Sequence, residues 1–235
     1  MKVKIIELFE AYESQVNETT DVGDVFYKSG MVNRFKELDY GFFPIGSGIL
    51  TEKCKVEEAE IEEHGIMVLG NDFGTCEYLS TKCENKRENE KNSTIKNLQQ
   101  IISNNDRTFY TNFFLGLRIG GAMIKRIVPL EDEYKAFCYK FFLTQLNKIN
   151  PSIVICLGND VRFILYEFFK DQFPDFKSKS ITYKNLYESV DKKYEVTTKK
   201  ESELGERKFV FIPHPSYAHV NWTPDIRTKI ELAVK

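Results

Sequence analysis

Ser152-Ile153-Val154-Ile155-Cys156-Leu157-Gly158 is an unbroken apolar run that follows Pro151 and ends at a glycine. A strand with one wet face alternates apolar and polar residues. A run this short and continuous is expected of a strand buried on both faces, as in a parallel sheet covered by helices. The flanks agree. Glu131 to Asn147 carries Tyr134, Phe137, Cys138, Phe141, Phe142, Leu143 and Leu146 at helical spacing, and Pro151 stops it. Beyond Gly158, Asn159 or Asp160 is expected to cap a helix bearing Val161, Ile164, Leu165 and Phe168.

Working outward, three more strands are expected. Gly65-Ile66-Met67-Val68-Leu69-Gly70 and Thr108-Phe109-Tyr110-Thr111-Asn112-Phe113-Phe114 lie upstream, and Lys208 to Pro213 lies downstream. Helical spacing joins them at Ile95, Leu98, Ile101 and Ile102, with Ser93 or Thr94 as cap, and Pro224 to Val234 reads as a closing helix. Lys2 to Val16 has one apolar side and predicts a first helix. Asn17 to Leu50 is irregular and holds the aromatic, glycine-rich segment Tyr40 to Gly48, which either packs on the core or lines a pocket. Glu57 to Glu63 reads as acidic and solvated, Lys82 to Asn92, almost wholly charged or amide-bearing, as mobile, and Ser178 to Arg207 as a polar surface excursion. Strands alternating with amphipathic helices predict an α/β class: a three-layer α/β/α domain around a central, mainly parallel four-stranded sheet. One domain over residues 1–235 is expected, with residues 1–60 as a helix-and-loop extension and residues 65–222 as its core.

Composition narrows the partners. The 235 residues carry a formal net charge of -2, so any contact with nucleic acid depends on a local basic patch. Five cysteines without a CxxC pair suggest neither a disulfide framework nor a tetrahedral metal site. Met1 to Phe9 lacks a signal-peptide layout, and no apolar run is long enough to span a bilayer. The expectation is a metal-free, cofactor-free, monomeric protein in a reducing cytoplasmic setting.

In open α/β sheets, chemistry gathers outside the carboxyl ends of the strands. Those ends hold Asn71-Asp72-Phe73, Asn112, Asn159-Asp160 and Pro213-His214-Pro215-Ser216. Asp72 can serve as a general base or stabilise a cation, and equally can cap a helix. Asn112 offers a donor and an acceptor, suited to an amide-like edge such as N3–O4 of uracil, and is also an ordinary turn former. Two prolines stiffen the backbone around His214, which can donate to a developing oxyanion. Asn159 and Asp160 read as simple caps.

Taken in order, a strand ending Leu-Gly-x-Asp, one ending Thr-Asn, Pro-x-Ile-Val-x-x-Leu-Gly, and one ending His-Pro-Ser resemble the uracil-DNA glycosylase superfamily. The likeness runs from about Gly65 to about Trp222. It implies that a deoxyuridine or related damaged nucleotide is flipped out of DNA. Asp72 would orient water and stabilise the oxocarbenium-like sugar, His214 would hydrogen-bond the departing base at O2, and Asn112 would select the base. Ser216 and backbone amides would hold phosphate, Tyr217 would act as the wedge, and Phe73 or Tyr78 would stack on the base. The chain departs from the family pattern at Phe73, where Pro is usual, and after Ser216, where no Arg appears before Arg227. Cys138 falls where the iron–sulfur branch has a ligand, but that branch's amino-terminal CxxC is missing, so no cluster is expected. Two alternatives use the same residues: a binding module of this fold that does not cleave, and a hydrolase of a small N-glycoside.

Overall fold

The computed structural model describes residues 1–18, 41–50, 56–74, 93–102, 107–116, 132–172, 195–198, 201–217 and 222–234. Four parallel strands form the centre: β3 (Ile66–Gly70), β4 (Thr108–Asn112), β5 (Ile153–Leu157) and β7 (Lys208–Ile212), in the order β4-β3-β5-β7. They are buried almost throughout because each side chain meets a helix layer on one face or the other. Met67, Leu69, Phe109, Val154, Cys156, Phe209 and Phe211 face one apolar cluster. The intervening Val68, Tyr110, Ile155, Val210 and Ile212 face a second. This period-two alternation between two apolar layers explains why the sequence of β5 shows no polar beat.

The first cluster is covered by α1 (Ile5–Glu18), α3 (Asp132–Ile149) and α4 (Gly158–Phe169). Its density comes from rings. Tyr12 lies 5.3 Å from Phe141 edge-on, and Phe43 stacks on Phe141 at 6.1 Å. The second cluster is covered by α2 (Ser93–Gln99) and α5 (Pro224–Val234). The expected α/β architecture with helices on both faces is therefore present.

Three local expectations are corrected. Lys2–Lys4 is a strand, β1, and the helix begins only at Ile5. The acidic stretch is not merely solvated: Glu60–Glu62 is β2, antiparallel to β1, with Ile61 buried between two exposed glutamates. Ile5 and Ile61 need cover that a free acidic loop would not provide. The polar stretch before β7 holds β6 (Glu195–Thr197), which pairs antiparallel with β7 and gives the main sheet a fifth, edge strand.

At the opposite edge, the glycine-rich segment 41–50 covers β4. Phe43 N–H donates to Tyr110 O at 2.9 Å, Tyr110 N–H donates to Gly48 O at 2.7 Å, and Thr111 Oγ1 donates to Phe43 O at 3.2 Å. Thus the backbone donor and acceptor of Tyr110, at the middle of the β4 edge, are met by the chain's own loop.

Candidate active site at the carboxyl ends of the strands

Strand register puts the candidate residues on one level. Gly70 pairs with Asn112, Leu69 with Cys156, and Leu157 with Ile212. The residues after each strand therefore leave the same end of the sheet. The chain moves from β3 to β4 on one side and from β5 to β7 on the other, so the order reverses between β3 and β5. A crevice opens at such a reversal because the two connections diverge. Asn112 and the end of β7 are three strand spacings apart, roughly 14 Å at about 4.8 Å per step. Asp72 follows β3, one of the two strands between them.

Asp72 is held by a local turn. Its Oδ1 accepts Gly74 N–H at 2.7 Å, and its Oδ2 accepts Asn71 Nδ2 at 2.7 Å. Gly74 has φ +83°, a left-handed conformation that glycine adopts without a Cβ penalty. Asp72 closes an Asx-type turn here and does not cap a helix.

His214 sits in the turn after β7, and its position is set from three directions. Pro213 and Pro215 are buried on either side. Asn97 of α2 donates to Pro215 O at 2.7 Å. Ser216 lies against the ring, with its hydroxyl 2.7 Å and its backbone N–H 3.3 Å from Nδ1. A backbone N–H only donates, so Nδ1 is the acceptor and the proton of the neutral imidazole sits on Nε2. Burial lowers the His214 pKa from its ordinary 6.5, while the Asp72 carboxylate pulls the other way. The result is a neutral imidazole presenting an N–H donor, with its charged form coupled to Asp72. Ser216, the residue expected at a phosphate, is engaged with the His214 ring here.

The reach of Asp72 extends further. Asp160, in the first turn of α4, has its carboxyl pKa raised by desolvation and then by the charge of Asp72. The phenol of Tyr134 is raised chiefly by burial, and Asp72 contributes a smaller share. Asn159 and Asp160 are not the caps expected of them. Helix α4 starts at Gly158, its N-cap is Leu157, and no side chain caps it. The strand runs straight into the helix, so Asp160 lies in its first turn, within the field of the Asp72 charge. Sequence alone offered no sign of this, since an Asp after a strand is usually a cap.

Asn112 is 4% exposed and lies across β3. A Cβ on Gly70 would collide with Asn112 Oδ1, so the glycine is what lets the amide fold over the end of the neighbouring strand. Phe42 stands beside it: its Cε2 is 3.5 Å from that same Cβ position, and its ring is 5.5 Å from Tyr110. Phe42 is only partly buried, whereas Phe73 is 9% exposed and packs in the first apolar cluster. Among the described residues, Phe42 is an aromatic face beside the Asn112 amide. The aromatic and glycine-rich composition of residues 40–48 was the available signal, although it did not say where the loop would land. Tyr78 lies outside the described residues, and Tyr217 is in a short 3-10 turn, Pro215–Tyr217.

Cys138 is fully buried, and burial pushes its thiol pKa up to about 12; Cys156 is raised in the same way. Both are free and behave as core residues. Among the described residues, no group of three or more His, Cys, Asp or Glu side chains is placed to hold a metal, and no helix is long and apolar enough to cross a membrane. No protein-family model matches the chain, and no curated protein matches it significantly.

Proposed function

We propose that this protein hydrolyses the N-glycosidic bond of uracil or a related base, presented as a nucleotide flipped out of DNA. The observation carrying the proposal is a neutral, Nε2-protonated His214, set by Ser216 at the same end of the sheet as Asp72 and within the field of its charge. Departure of the base leaves an electron pair on its ring nitrogen, delocalised onto O2, where the His214 N–H stabilises it. Water attacks C1′ of the sugar and Asp72 takes its proton. The C1′–N bond breaks, the C1′–O bond forms, and the products are the free base and an abasic sugar. The ionised Asp72 also stabilises positive charge developing on the sugar. Asn112 reads the N3–O4 edge, and Phe42 supplies a face on which a planar base can stack. The ordered motifs that resemble the uracil-DNA glycosylase superfamily support the same reading.

A uracil-containing oligonucleotide, treated with alkali after incubation, tests this. Wild type is expected to give strand scission. Asp72→Ala should lose about 10²- to 10⁴-fold in rate, and His214→Ala about 10²- to 10³-fold. Full activity in both variants removes the proposed roles. The net charge of -2 favours a small N-glycoside as the second reading. Release of free base from nucleosides, with none from the oligonucleotide, would select it.

A further inference from the structure

We infer that Asn71 is a second anchor for the attacking water, gripping Asp72 with its Nδ2 and the water with its Oδ1. The inference rests on the hydrolytic function proposed for this site. Asn71 Nδ2 donates to Asp72 Oδ2 at 2.7 Å. An ionised carboxylate only accepts, so the amide must turn its NH2 toward Asp72 and its oxygen away. That oxygen is shielded from solvent and has no hydrogen-bond partner among the described residues. Buried acceptors are rarely left unmet in folded proteins, and the usual remedy is an ordered water or a ligand.

Position makes a water the fitting partner. The Asn71 carbonyl accepts Phe114 N–H at 2.9 Å, which pins the backbone of Asn71 to the segment just past β4. Nδ2 and Oδ1 share one carbon, and the water we infer occupies the side of Oδ1 that faces the carboxylate held by Nδ2. Water has two O–H donors. One directed to Asp72 and one to Asn71 Oδ1 leave its lone pairs free to meet C1′. The titratable groups coupled to the charge of Asp72 include, among the described residues, His214 after β7, Asp160 of α4 and Tyr134 of α3.

A crystal structure of the wild-type protein should show an ordered water within hydrogen-bonding distance of both Asn71 Oδ1 and the Asp72 carboxylate. Its absence overturns the inference whatever the activity. Asn71→Leu and Asn71→Ser should lower kcat by about 10- to 100-fold, part of what losing the base itself does. KM and Tm should hold, because the water binds neither base nor phosphate. A variant with wild-type Tm and unchanged kcat also overturns it; a loss confined to Tm and KM marks Asn71 as merely structural. If both variants unfold, the wild-type crystal decides. A water in place, with no base released from any nucleotide or nucleoside by wild type, overturns the hydrolytic function and the water's role as nucleophile together.

Discussion

His214 takes up a second ring proton or not according to a contest between burial and Asp72. Burial wins, and the folded pKa falls below the ordinary 6.5. Between the two values the unfolded chain binds more protons than the folded one. The stability contributed by the neutral imidazole is therefore complete above about pH 6.5 and is lost as pH falls through the folded value. An NMR titration of the His214 ring should give a midpoint below 6.5. Asp72→Asn should lower that midpoint further, because the carboxylate is what favours the charged ring. An unchanged midpoint in the variant means that the two groups are not coupled.

At the scale of the element, the ends of β3 and β4 work as one unit. Gly70 exists as a glycine because Asn112 lies over it. Gly70→Ala should destabilise the fold by about 1–3 kcal/mol, the usual range for overpacking a filled site, and weaken discrimination between bases by pushing the amide aside. Adding Asn112→Ala should recover much of that stability, since the obstructed group is then gone. Urea midpoints of the single and double variants measure the coupling. Strict additivity would show that the amide and the glycine do not share this space.

For the whole molecule, the amino-terminal region is part of the structure that the candidate site depends on. Ile5, Leu8, Phe9 and Tyr12 of α1 are buried in the first cluster, and Phe43 joins their rings to Phe109. Tyr12 Oη donates to Leu115 O at 2.9 Å, tying α1 to the segment just past β4. Tyr12→Phe should cost about 1 kcal/mol through the unmet buried carbonyl. Removing residues 1–50 should be far worse, because it strips the first cluster and bares the β4 edge together. Circular dichroism in urea checks both: a cooperative transition in the truncated chain would show that the remainder folds alone.

Much of the sheet was legible in the chain itself. Short apolar runs at Ile66–Gly70, Thr108–Asn112, Ile153–Leu157 and Lys208–Ile212 can be satisfied only by burial on both faces, and that demand is local to each run. The candidates Asp72, Asn112 and His214 were legible too, because a strand end is recognisable wherever its apolar run stops. Short strands β1, β2 and β6 were not, since three residues carry too little pattern to declare themselves. Nor could sequence announce that Phe42 comes to rest beside Asn112, that Asp160 feels the charge of Asp72, or that Ser216 serves His214. Those relations depend on which strands become neighbours and in what register, and residues distant in the chain decide that by packing together. Local pattern determined the elements and named the candidate groups; only the tertiary structure decided which of those groups share a field.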